Sequence, residues 1–224
     1  MKTIRSFLAI NLDLEVVCAI ADEQIKLKEA AQQSGAEIKW IPPQNMHVTI
    51  RFLGQVTEPM VQAIKDNIEP VTRGFAPFEL TAANLGFFPD EENPKIVWIG
   101  VDDPGKELSS LYSKVAKTIE EAGFKSDNTP FKSHITIGRV KNAPPNMASE
   151  LVQQFKQLSF GVSKISDLIC YQSDLKQTGA DYHKIWRLPL LGRYRPEVKR
   201  QTVNTEEKPE NNVTVDKEQS SNES

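Results

Sequence analysis

A chain of 224 residues, 39% hydrophobic and 25% charged, is long enough for one large domain or two small lobes with a real core, and it needs no staple to fold. Its formal net charge of −3 is far from the cationic surface that strong non-specific binding to duplex nucleic acid requires, but it leaves a single phosphate or nucleotide end within reach. The opening MKTIRSFLAINLDLE interrupts its apolar run too soon for a signal peptide or a membrane span, so the expectation is a cytoplasmic protein with no membrane association.

The charge is unevenly spread. From Pro196 to Ser224 seven acidic residues stand against four basic ones, so this segment carries the whole net charge and residues 1–195 sum to zero. Its apolar content is four valines and no aromatic residue, too little to offset the entropy of ordering it. We expect one folded body, residues 1–195, and a disordered polar tail, 196–224.

Within the body, residues 3–12 read as a strand with Ile4, Leu8 and Ile10 on one face and Arg5, Phe7 and Ala9 on the other. Val17, Ile20, Gln24, Leu27 and Ala31 take helical spacing over 14–34, and Gly35 supplies the stop. A short strand over 37–41 runs into Pro42 and Pro43, which force an extended turn. His47-Val48-Thr49-Ile50 then opens a strand closed by Gly54. Thr57 as N-cap with Pro59 just inside starts a helix through Met60, Ile64 and Ile68. Strands over 75–88 and 95–101 flank an acidic turn, and Leu108, Leu111, Val115, Ile119 and Ala122 set a regular helix ended by Gly123. His134-Ile135-Thr136-Ile137 lies in the next strand. Pro144 and Pro145 open a fourth helix with Met147, Leu151, Phe155 and Leu158 on one face, and strand-like runs over 160–173 and 181–192 complete the body.

One four-residue phrase therefore occurs twice with one conservative change, Val48 to Ile135, and so does its surrounding order of elements, from residue 3 to about 86 and again from 95 to 173. This is the pattern of an internal duplication. The expected fold is α+β and bilobal, with lobes of approximately 1–90 and 91–195 whose elements interleave. A pseudo-twofold axis would relate two antiparallel-rich sheets with helices outside and a central cleft.

Strand alternation puts His47 and Thr49 on one face and Val48, Ile50 and Phe52 on the other, and the second copy repeats this with Ile135 and Ile137. Arg51 falls on the His47 face, whereas Gly138 and Arg139 follow the second motif, so the two walls differ. Histidine, with an ordinary pKa of about 6.5, can give or take a proton near neutrality. One ring can take a proton from water while the other protonates a leaving oxygen, which suits in-line displacement at phosphorus. The threonine hydroxyls can donate to the non-bridging oxygens. Zinc would want three protein ligands, with Cys, Asp or Glu at short spacing, and neither motif has one nearby. The scheme requires no metal and no cofactor. His183 reads as a surface or structural histidine, Trp40, Trp98 and Trp186 as core or cleft wall, and Cys18 and Cys170, each among apolar residues, as buried free thiols.

The two motifs resemble those of the two-histidine (2H) phosphoesterase superfamily, and within it the bacterial and archaeal RNA 2′,3′-cyclic phosphodiesterases, once named for an RNA-ligase activity. RSFLAI, WIPPQNMHVTIRFLG, FKSHITIGR and SDLKQTGADYHKIWRLPL resemble that family's blocks in order, over roughly residues 4–191. The resemblance implies metal-independent opening of a 2′,3′-cyclic phosphate to a 2′-phosphate, on RNA ends or cyclic nucleotides, with no obligate protein partner. It implies His47 as proton donor and His134 as proton acceptor, with Thr49, Thr136 and Arg139 on the phosphate. Alternation alone puts Arg139 on the Ile135 face, so its role needs a bulge or a strand end. Phe7 is a candidate for stacking on a base. Ser133 stands where the family often has proline, which loosens the turn before His134. Three alternatives stay open: a 2H relative acting on another cyclic phosphate such as ADP-ribose 1″,2″-cyclic phosphate, a 2′,5′ RNA ligase, and an RNA- or nucleotide-binding module without catalysis.

Overall fold

The computed structural model describes residues 2–124, 130–155, 157–176 and 179–193. All fall in one compact unit, Met1–Tyr194; the polar tail expected from Pro196 lies outside the described residues. The elements run β1 (Thr3–Ile10), α1 (Leu14–Gln33), β2 (Glu37–Trp40), a 3-10 turn (Pro43–Asn45), β3 (Val48–Thr57), α2 (Glu58–Arg73), β4 (Phe78–Phe88) and β5 (Ile96–Asp102). They continue with α3 (Glu107–Glu121), β6 (His134–Asn142), α4 (Met147–Gln154), β7 (Ser159–Ile165), β8 (Asp167–Lys176) and β9 (Gly179–Pro189).

The strands pair antiparallel in the order β7-β4-β5-β6-β3-β1-β8-β9, with β2 added to β6. Two groups can be separated in this order, β7-β4-β5-β6 with β2, and β3-β1-β8-β9. A single residue pair, Val48 with Ile135, joins them. Each group thus draws on both halves of the chain. The crossing also explains why residues 160–173 are not one strand: β7 ends on β4 at Ile165, and β8 starts two residues later against β1 and β9.

Helices cover the faces turned away from the motifs. Helix α1 packs on β7, β2 and α4, while α2 packs on β9, β3 and α3. Val61, Ile64, Ile68 and Thr72 form the buried stripe of α2, and Leu108, Leu111, Val115 and Ile119 that of α3, the three-and-four spacing that turns one helical face inward. Each buried Leu, Ile or Val stabilises the fold by about 1.5–3 kcal/mol. On α1 the stripe is Val16, Ile20, Leu27 and Ala31, one residue off the expected start at Val17. Cys170 is buried in β8, but Cys18 is exposed on α1, because its helical position lies off that stripe. Among the described residues no helix is long and apolar enough to cross a membrane.

Gly54 does not end its strand. It sits inside β3 at φ +72°, next to a register shift against β1, so its positive φ serves a bulge and the ladder continues to Thr57. The Pro42-Pro43 turn is likewise tighter than an extended connection, since Pro43–Asn45 close one 3-10 turn directly before His47.

Candidate active site

The two motif strands touch where the two strand groups join. Val48 and Ile135, each the residue after its histidine, are paired and fully buried. Continuing that antiparallel register by one residue turns His47 toward Thr136 and His134 toward Thr49, on the face opposite the core. The rings are close enough for His134 to disfavour a charge on His47.

Both histidines are held in the same way. Nδ1 of His47 lies 2.8 Å from the carbonyl oxygen of Asn45, and Nδ1 of His134 lies 2.7 Å from that of Lys132. A carbonyl only accepts, so Nδ1 carries the proton in each ring and Nε2 is left for chemistry. At His47 this Nε2 is 3.1 Å from the Thr49 hydroxyl. Asn45 is itself anchored, its side-chain amide donating to the carbonyl of Ala180 in β9 at 2.8 Å. On the other side Ser133 donates to the carbonyl of Val101 at 3.0 Å, so the turn expected to be loose without proline is tied to β5.

Burial pulls the His47 pKa down to about 4, with repulsion from His134 adding to it and the Asn45 hydrogen bond opposing. Burial also lowers His134, again against its backbone hydrogen bond. Both rings are neutral in the free protein at neutral pH.

A bulge at the third residue after each histidine selects the side chains that reach the site beyond it. In β3, Ala9 pairs with Thr49 but Leu8 with Arg51, leaving Ile50 as the extra residue. In β6, Trp98 pairs with Thr136 but Val97 with Gly138, leaving Ile137 as the extra residue. An extra residue reverses the alternation beyond it. Arg51 therefore leaves the His47 face for the Leu8 face, where it is buried with its guanidinium 4.0 Å from Glu120 of α3. Phe52, expected with the core set, emerges beside Phe7 and is 61% exposed. Gly138 turns inward, where a Cβ would come within 2.8 Å of Ile38 and 3.3 Å of Trp40 and Val97. Arg139, paired with Ile96 and exposed, turns to the histidine face. Its bulge is braced by Gln24 of α1, whose amide donates to the carbonyls of Ile137 at 2.9 Å and Ile41 at 3.0 Å.

Aromatic rings line both walls. Phe7 stacks on His47 at 4.9 Å and 28°, with Tyr171 at 5.5 Å and Tyr182 edge-on at 5.0 Å. It is only 3% exposed, so the ring expected to stack on a base is instead committed to His47. Opposite, Phe88 meets His134 edge-on at 4.9 Å and Trp98 at 5.1 Å.

Sequence comparison places this arrangement. The profile described as LigT like Phosphoesterase matches the chain twice, over residues 14–98 and 99–179, one histidine motif in each match. The chain belongs to this family. The RNA 2′,3′-cyclic phosphodiesterase of Archaeoglobus fulgidus is 36% identical over 180 residues, which cover 80% of this chain and 96% of that protein. The protein of the same name from Aquifex aeolicus is 30% identical, covering 86% and 100%. The crystal structure of TT0787 of Thermus thermophilus superposes with a TM-score of 0.72 at 25% identity, covering 85% of this chain and all of that one. Escherichia coli LigT, crystallised with 3′-AMP, shares the fold with a TM-score of 0.66 at 22% identity, covering 84% and 99%.

Several residues of this phosphoesterase's candidate site had weaker sequence signals. Tyr171 and Tyr182 lie in runs that read only as strands, yet Tyr171 is pinned by Asn11 at 2.9 Å and the charges of Arg139 and Arg5 both reach the Tyr182 phenol. Arg5 shares the Phe7 face, as alternation predicts. His183 stands apart, its side chain 61% exposed and 3.3 Å from Asp174. Among the described residues no group of three or more His, Cys, Asp or Glu side chains is placed to hold a metal ion. Two hollows of about 330 and 300 Å³ lie away from the histidines, against α1 and α2 respectively; the histidines stand on the open face.

Proposed function

We propose that this protein hydrolyses the 2′,3′-cyclic phosphate at RNA ends to a 2′-phosphate, by proton transfer between two imidazoles and without a metal ion. The observation that carries this reading is the matched pair of rings, each with Nδ1–H on the carbonyl two residues before it and Nε2 left for the reacting groups. The names of the relatives support the substrate class. His134 Nε2 takes a proton from water as its oxygen attacks phosphorus, and protonated His47 Nε2 gives one to the departing 3′ oxygen. Thr49 and Thr136 donate to the non-bridging oxygens, and Arg139 adds charge-assisted hydrogen bonds.

The acid must be protonated when substrate is bound, although burial disfavours a charge on His47. A cyclic phosphate diester carries one negative charge. Set between the rings, it favours the protonated form and offsets the burial and the mutual repulsion. Substrate binding should therefore take up a proton.

The opposite direction, with His134 as donor and His47 as acceptor, has one observation in its favour: His47 is the more deeply buried ring and the one pulled to about 4. The identity of the product separates the two for a fixed substrate pose. Incubation with a 2′,3′-cyclic nucleotide and EDTA is the primary test. The expected result is undiminished conversion to the 2′-phosphate. Absence of hydrolysis would overturn the activity, loss on adding EDTA the metal-free mechanism, and a 3′-phosphate product the assigned direction.

A further inference from the structure

Trp98 occupies an unusual place in the second wall. Its register partners are Gly86 on β4 and Thr136 on β6, so the indole shares the face that carries His134 and Arg139. Gly86 makes room for it: a Cβ there would come within 2.7 Å of Cε2 and closer still to Cζ2 and Cη2, whereas one at Gly100 would meet the Ala83 carbonyl oxygen at 2.7 Å and the indole Cζ3 only at 3.4 Å. The ring therefore lies across the strands over bare backbone instead of standing up from the sheet, and it is only half-buried. Phe88 closes one side at 5.1 Å and 31°. The result is a broad aromatic surface in the site wall.

Its surroundings are cationic. Arg139 pairs with Lys39 of β2 on the same face, both are exposed, and the Lys132 ammonium sits 5.4 Å from the Phe88 ring centre. Flat aromatic surface bordered by basic side chains suits a base with its flanking phosphate, because stacking tolerates any base while the cations follow the backbone. The first wall cannot serve in the same way through Phe7, which is committed to His47. It offers the exposed Phe52 instead. Phe52 on one wall and the half-buried Trp98 on the other thus flank a chain whose cyclic phosphate lies between the histidines.

We propose that Trp98, backed by Gly86 and flanked by Phe88, is a stacking subsite for a second nucleobase, making an RNA end of at least two nucleotides the preferred substrate over a cyclic mononucleotide. This rests on the hydrolase reading and narrows its substrate class. A role confined to holding Phe88 against His134 would affect every substrate alike, whereas a base subsite acts only on the longer one.

The test is the ratio of kcat/KM for a dinucleotide 2′,3′-cyclic phosphate to that for the matching mononucleotide. The wild-type protein should favour the dinucleotide. Trp98→Leu should lower the ratio by about 5- to 150-fold, the range expected for losing one stacked base, and Trp98→Phe, which keeps a ring, should retain most of it. A wild-type ratio near one overturns the proposal, as does a ratio unchanged in Trp98→Leu, including the case where both substrates lose equally. If the wild type hydrolyses neither substrate, the hydrolase reading fails by itself. Calorimetric affinities for a 3′-phosphorylated dinucleotide and mononucleotide, wild type against both variants, then decide the subsite by the same ratio.

Discussion

The strands after His47 and His134 start from four-residue phrases that differ only as Val48 and Ile135 and kink at the same place, yet they present different side chains. In both, the extra isoleucine reverses the alternation, so the fourth residue after the histidine turns to the core and the fifth to the site. The first copy puts Arg51 inside and Phe52 outside; the second puts Gly138 inside and Arg139 outside. What fills the space behind each strand explains the inner choice. Behind β6, Ile38 and Trp40 of β2 crowd the backbone and leave no room for a Cβ. Behind β3, Arg51 extends toward Glu120 on α3. A pseudo-twofold scaffold thus carries two unequal walls, with an exposed aromatic ring five residues after His47 and an exposed cation five residues after His134.

The largest expected effect tests what the copies share. His47→Ala and His134→Ala should each lower kcat by roughly 10²- to 10⁴-fold, the range for losing a proton-transfer partner. Near-wild-type turnover in either single variant would show that the two rings do not form an acid-base pair.

The next tests what they do not share. Arg139→Ala should lower kcat/KM by about 10- to 100-fold, since a charge-assisted hydrogen bond contributes about 1.5–3 kcal/mol, while Phe52→Ala should act on KM alone and by roughly 5- to 20-fold. If Arg51→Met proved as damaging to the kinetics of the folded protein as Arg139→Ala, the reversal of alternation in β3 would be refuted.

A smaller effect should come from loosening only the second kink. Gln24 is far from Ile137 in sequence, but its amide joins Ile137 to Ile41. Gln24→Leu keeps the bulk and removes both donors; the Ile137 carbonyl keeps the Ile41 N–H at 2.9 Å, while the Ile41 carbonyl loses the Gln24 amide, at about 1–3 kcal/mol of stability. Because Arg139 depends on that kink, KM should rise several-fold while kcat is nearly unchanged. A stability loss without any KM change would make Gln24 a structural residue only.

Much of this could be read from the sequence because it depends on local pattern. The 3.6-residue stripes of α2 and α3, the repeated His-x-Thr and the element order all survive in the fold. The kinks were harder to read, since nothing in Ile50 or Ile137 marks an extra residue and their register is fixed by β1, β5 and Gln24. Arg139 was the exception, because the role implied by resemblance conflicted with strict alternation and so required the bulge now seen. Phe7 was misread for a related reason: its face was right, but only the packed structure shows His47 and two tyrosines already occupying the ring. The same holds for Trp98, whose flat placement depends on a glycine 12 residues before it.

The last prediction sharpens the contrast between the histidines themselves. His47, drawn to about 4 chiefly by burial, takes up its proton in the unfolded chain near its ordinary value of about 6.5, but in the folded protein only at lower pH. Between those two values the unfolded state binds more protons, so stability must fall as pH drops through this window and level off below it. The full contribution is present above about pH 6.5 and is on the order of 3 kcal/mol. In urea titrations from pH 7.5 to 4, His47→Gln should flatten this part of the stability curve more than His134→Gln does. A saturating non-hydrolysable phosphate ligand should also flatten it in the wild type, because an anion between the rings lets the folded state bind the proton too. Equal slopes for the two variants would mean that burial does not distinguish the rings, and the reverse direction of proton transfer would lose the one observation in its favour.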